Sequence, residues 1–102
     1  MLCIGHRGAR GYAPENTLAS IDLAIEQGAT WIEIDIREHS GDLIVIHDKY
    51  LERTTNGTGH IYQHDLATLR RFTSENNQSL PTLKEVIKHV NRRAIINIEL
   101  KD

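Results

Sequence analysis

Apolar and polar positions along this chain follow two periods, and each switch between them marks an element. Leu2-Cys3-Ile4-Gly5 is a short apolar run ending at His6-Arg7-Gly8, and it reads as a first strand entering a loop. After the Pro14-Glu15 turn, Asn16 is placed to cap a helix in which Leu18, Ile21, Ala24 and Ile25 recur at helical spacing, with Gly28 as its stop. From Trp31 to Glu38 the period drops to two: Ile32, Ile34 and Ile36 face one way, Glu33, Asp35 and Arg37 the other. Ser40-Gly41 marks a turn, and Leu43 to Ile46 returns as a second arm ending at His47-Asp48. Thr54 to Gly59 is loop, and Asp65 is placed to cap a short helix carrying Leu66, Leu69 and Phe72. Thr82 and Glu85 make a capping box after Pro81, ahead of Leu83, Val86, Ile87 and Val90 at helical spacing. The last element, Ala94 to Lys101, alternates Ile96, Ile98 and Leu100 with Asn97, Glu99 and Lys101.

Strand, helix, strand, hairpin, helices, strand is the order of an α/β fold whose principal strands run parallel through helical crossovers. Three parallel strands leave an open edge and too few helices to cover it, so residues 1–102 read as the start of such a fold. Composition adds little: 39% hydrophobic residues suit a globular chain. A net charge of -2 excludes the global basic field of a nucleic-acid binder, so any anion must be met by single Arg or Lys side chains. The single cysteine, Cys3, sits in an apolar run and reads as a buried thiol. No leader pattern or membrane-length apolar run is present, and the expectation is a cytoplasmic protein without a membrane anchor.

The candidate chemistry lies on the polar rows of the later strands. Glu33 and Asp35, two residues apart, share a face, and Glu99 takes the matching face of the next strand, roughly 4.8 Å away. Two readings stand level at this point. The acids either meet water on a solvated face, or converge on a hard divalent cation that neutralises their repulsion. His47 favours the second if the hairpin turns on three residues, Ser40 to Asp42. His39 then opposes Leu43, and Asp35 opposes His47, on the same face. A two-residue turn opposes Ile34 to His47 and predicts an imidazole on the other side. His6 closes the first strand beside the second, and two histidines flanking a carboxylate cluster suit an acid and a base near neutrality. Arg7 and Lys101 add positive charge at the same rim.

These residues resemble a known family. His6-Arg7-Gly8, Pro14-Glu15-Asn16-Thr17, Glu33-x-Asp35, His47-Asp48, Thr54-Thr55-x-Gly57-x-Gly59, Pro81-Thr82-Leu83-x-Glu85 and Asn97-x-Glu99-x-Lys101 are similar, in order, to the signature of glycerophosphodiester phosphodiesterases. The resemblance implies a TIM barrel of about 250 residues, of which this chain holds the first three strands with their crossover helices and a hairpin insertion. It implies His6 and His47 as the acid/base pair. Glu33, Asp35 and Glu99 would hold one divalent cation, Mg²⁺ or Ca²⁺, while Arg7 and Lys101 contact the phosphate. Asn16 would order the loop after the first strand, and Arg10, Tyr12, His39, His60, His64 and His89 would be ordinary. The stretch between Asp35 and His47 is one residue shorter than the family pattern.

The implied reaction is hydrolysis of a glycerophosphodiester to glycerol 3-phosphate and an alcohol. The neighbouring glycerol hydroxyl attacks first, and water then opens the cyclic phosphate. Two other readings remain: an inactive fragment that self-associates through its open edge, and a lysophospholipase D-like relative with a similar site.

Overall fold

The structure, a computed structural model, describes the backbone of residues 4–6, and residues 15–75 and 77–101 with their side chains. Cys3, Arg7, Arg10 and Tyr12 lie outside the described residues, as does the side chain of His6.

The elements are β1 (Ile4–His6), α1 (Leu18–Glu26), β2 (Trp31–His39), β3 (Asp42–Val45), a 3-10 turn (Ile61–Gln63), α2 (Leu66–Leu69), α3 (Leu83–Val90) and β4 (Ile95–Leu100). β2 organises the sheet. Its first half pairs in parallel with β1 on one edge, Ile4 against Trp31, and with β4 on the other, Trp31 against Ile95 through Ile36 against Leu100. Past His6, the edge vacated by β1 is taken by β3, which pairs antiparallel with the second half of β2. The three parallel strands and the hairpin insertion expected from the sequence are present, in the order β1, β2, β4.

The hairpin corrects one expectation. His39 pairs with Asp42 and Ile36 with Val45, so the turn has two residues, not three. Ser40 and Gly41 sit at φ 52° and 81°, and two central residues at positive φ define the type I′ turn whose twist suits paired strands. Asp35 therefore faces Ile46 rather than His47, and the amide of Ile46 donates to the Asp35 carbonyl at 3.0 Å.

Two apolar clusters flank this sheet. Ile21 and Ala24 of α1 and Val86 and Val90 of α3 pack with Ile32, Ile34, Ile36 and Val45. Burying each of these isoleucines contributes roughly 1.5–3 kcal/mol. On the opposite row of the hairpin, Ile44 and Ile46 pack with Leu51, Ile61, Leu69 and Leu80. That second cluster roofs the polar row of β2, which explains why Asp35, Arg37 and His39 are buried although their row is polar.

Caps fall where polar side chains can reach orphan amides. Thr82 and Glu85 form the capping box on α3: the Glu85 amide donates to Thr82 Oγ1 at 3.2 Å and the Thr82 amide to Glu85 Oε1 at 2.9 Å. Asp65 caps α2 through the Thr68 amide at 2.8 Å. α1 corrects the second expectation: its cap is Thr17, in a box with Ser20, and not Asn16. Gly28, at φ 97°, follows the last turn of that helix as expected.

β4 is less covered than the alternation suggests. Ile96 packs on the first cluster, but Ile98 and Leu100 are 41% and 68% exposed, and Ile95 on the other row is 54% exposed. Ile87, assigned to the core face of α3, is also exposed. Among the described residues no strand pairs with the outer edge of β4.

Candidate active site

The acids come together. Asp35 and Glu99 are register partners across β2 and β4, and Glu33 lies two residues back on the same row. One carboxylate oxygen from each of Glu33, Asp35 and Glu99 falls within 4.8 Å of the others. Glu33 and Asp35 are buried while Glu99 stands at the open side. Lys101 Nζ lies 2.8 Å from Glu99 Oε1, and this ion pair holds the Glu99 carboxyl below its ordinary value.

The two-residue turn bears on His47, because its register sets that residue opposite Ile34 rather than Asp35. β3 ends at Val45, and its pairing with β2 runs one residue further through the Ile46 amide and the Asp35 carbonyl. The Val45 amide points away from β2 and donates to the Pro81 carbonyl at 2.9 Å, on the outer edge of β3 beside the Ile44–Thr82 bridge. Arg37, on the same row of β2 as the acids, holds the next residue's backbone: its Nε donates to the His47 carbonyl at 3.0 Å, and Nη2 donates to the same oxygen.

The imidazole itself is fixed by its neighbour. His47 Nδ1 lies 2.8 Å from Asp48 Oδ1, and a carboxylate can only accept, so Nδ1 carries the proton and Nε2 is left for chemistry. Asp48 in turn receives Arg53 Nε at 2.7 Å and Nη2 at 2.9 Å. The hydrogen bonds from Arg53, and then that from His47, hold the Asp48 carboxyl far below the usual carboxylate range despite partial desolvation. A cavity of about 20 Å³, room for one water, lies behind this segment among Asn16, His47, Thr55, Ser74 and Leu80.

Asn16 has a larger part than the sequence suggests. It is buried at φ 54°, its Nδ2 donates to Asp35 Oδ2 at 3.1 Å, and its Oδ1 accepts from the Asp35 amide at 3.4 Å. One amide group thus orients both the carboxylate and the backbone of Asp35. Arg37 and Arg53 were not singled out as site residues. Arg37 sits on the acids' row, which was a usable signal, whereas Arg53 precedes the Thr54–Gly59 loop with no period to point to it.

The remaining candidates divide. In β1, His6 is the register partner of Glu33, which brings its backbone beside the acids. Arg7 lies outside the described residues. The other described histidines have structural partners. His39 Nε2 meets the carbonyls of Ile61 and His64 at 3.1 and 2.8 Å, His60 caps the 3-10 turn, His64 Nε2 meets the Thr58 carbonyl, and His89 pairs with Asp22.

Comparison with known proteins fits this geometry. Residues 6–102 match the glycerophosphoryl diester phosphodiesterase family model. A glycerophosphodiester phosphodiesterase of Bacillus subtilis is 36% identical over 117 residues, covering 99% of this chain and 40% of that protein. The crystal structure of a glycerophosphodiester phosphodiesterase from Agrobacterium tumefaciens superimposes with a TM-score of 0.90 at 43% identity, over all of this chain and 48% of that one. An Oleispira antarctica phosphodiesterase, solved with the product sn-glycerol-3-phosphate, gives 0.91 at 42% identity over 99% of this chain and 44% of its own. The chain spans less than half the length of each of these relatives. By sequence match and by fold, the chain belongs to the glycerophosphoryl diester phosphodiesterase family.

Proposed function

We propose that this chain is the N-terminal, acid-bearing part of a barrel that hydrolyses glycerophosphodiesters to glycerol 3-phosphate and an alcohol with the help of one divalent cation. The observation that carries this reading is the convergence of Glu33, Asp35 and Glu99 within 4.8 Å. Three carboxylate donors, two of them withdrawn from water, suit Mg²⁺ or Ca²⁺ better than zinc, whose sites are built mainly on imidazole nitrogen and thiolate sulfur. Such a cation supplies charge stabilisation at a phosphoryl oxygen and lowers the pKa of a bound hydroxyl.

The chain's own residues do the rest. Asn16 keeps the Asp35 carboxylate in one orientation. His47 offers Nε2 for proton transfer, with Nδ1–H held by Asp48, and His6 is the second member of the acid/base pair. One imidazole takes the proton of the attacking glycerol hydroxyl, and the other gives a proton to the departing alcohol oxygen. Water then opens the cyclic phosphate with the two roles exchanged. Arg7 and Lys101 meet the phosphate charge. The complex of the Oleispira antarctica relative with sn-glycerol-3-phosphate supports this choice of product.

Release of glycerol 3-phosphate from glycerophosphocholine tests the reading. Turnover should require Mg²⁺ or Ca²⁺, stop with a chelator, and fall on the order of 1,000-fold in Glu33→Ala or Glu99→Ala. Rates untouched by chelator or by these substitutions would sink it.

A second reading is favoured by one observation, the exposure of Ile95, Ile98 and Leu100 on β4. An apolar strand with an unpaired outer edge is a template for another strand, so copies of the chain associate through it.

A further inference from the structure

One guanidinium joins the two halves of the site. Arg53 uses both of its edges. Nε and Nη2 grip Asp48 at 2.7 and 2.9 Å, while Nη1 and Nη2 grip Glu15 at 2.7 and 2.9 Å. Asp48 carries the hydrogen bond to His47 Nδ1, and Glu15 immediately precedes Asn16, which holds Asp35. The path His47, Asp48, Arg53, Glu15, Asn16, Asp35 therefore runs unbroken from the imidazole to an acid of the cluster. Only a planar fork with two free edges can serve two carboxylates in this way, and a lysine ammonium cannot. Arg53 is half exposed while the Glu15 side chain is 8% exposed, so the arginine closes over the assembly from outside.

We infer that Arg53 is a positioning residue for the hydrolysis: through Asp48 it fixes the tautomer and direction of the His47 imidazole, and through Glu15 it ties that imidazole to the loop that orients Asp35. It touches no reacting atom. This inference rests on the phosphodiesterase reading for its kinetic consequence and on the hydrogen-bond geometry alone for its structural one.

The test therefore has two arms on the same protein. Long-range ¹H–¹⁵N correlation on neutral His47 should show the proton on Nδ1 in the wild type. In Arg53→Gln and Arg53→Lys that preference should weaken. With Mg²⁺ and glycerophosphocholine, both variants should lose about 10–100-fold in kcat with KM within about threefold, the size seen when an outer partner of a site residue is removed. Full activity in Arg53→Lys would overturn the two-edged fork. A wild-type His47 carrying its proton on Nε2, or Arg53→Gln with unchanged resonances and kcat, would overturn the inference as a whole. Should Arg53→Gln fail to fold, the wild-type spectrum and Arg53→Lys still decide. A wild type with the Nδ1–H tautomer but no hydrolysis would instead count against the phosphodiesterase reading and leave the geometric claim standing.

Discussion

Asn16 shows how much a single side chain can carry here. Its left-handed backbone, φ 54°, costs a residue with a Cβ and no local hydrogen bond about 1 kcal/mol. Asn16→Ala should thus lose about 1–3 kcal/mol in thermal or denaturant unfolding, from backbone strain together with the stranded polar partners. Asn16→Gly removes the same amide but relaxes the backbone, so it should be more stable than the alanine variant while weakening cation binding equally. Equal stability of the two would mean the strain is not there. Asp48 offers a pH test. Its folded pKa is depressed, chiefly by Arg53, below an ordinary value of about 3.9. The stabilisation is therefore complete above that pH and is lost as pH falls through it and towards the folded value. Asp48→Asn should flatten the fall in stability between about pH 5 and pH 3, whereas an unchanged acid limb would contradict the pairing. Roles of this kind were hard to see in the sequence, because Asn16 looks like a cap and Arg53 like a surface charge until the loops carrying them are folded.

At the scale of elements, the periodic segments were legible and the junctions were not. The row of Glu33 and Asp35 against Ile32, Ile34 and Ile36 follows from the two-residue repeat of any strand. The capping box of Thr82 and Glu85 follows from the reach of two side chains. The hairpin differed because both two- and three-residue turns fit the same letters, and the two-residue turn needs positive φ at both Ser40 and Gly41, which the letters alone do not announce. A slip by one residue would move Ile44 and Ile46 off the second cluster, so that packing fixes the register. Ser40→Val, β-branched at φ 52°, should accordingly cost about 1–2 kcal/mol, and Ser40→Gly should be neutral or slightly stabilising by denaturant unfolding. A tolerated valine would contradict the type I′ turn. His47 lies beyond β3 and its carbonyl is held by Arg37, a contact that strand alternation does not foretell.

For the whole molecule, the sheet brings Glu33, Asp35 and Glu99 together on a scaffold whose strand β4 is thinly covered among the described residues. The sequence implied this in the order of its elements: three parallel strands with two crossovers cannot wrap both faces. Among the described residues no helix is long and apolar enough to cross a membrane. The exposed row on β4 predicts concentration-dependent association in analytical ultracentrifugation, reduced by the double substitution Ile98→Lys and Leu100→Lys. A wild type that stays monomeric at every concentration would remove the second reading.

Two neighbouring strands bring Glu33, Asp35 and Glu99 together, and on the reading proposed above they hold a divalent cation. That binding is tested most directly by calorimetric titration of Mg²⁺ and of Ca²⁺ into the wild type and into Asp35→Asn, which keeps the side-chain shape and removes one charge. One cation per chain is expected in the wild type, with an affinity at least about tenfold weaker in the variant. Identical titrations for the two proteins, or no binding to the wild type, would contradict it.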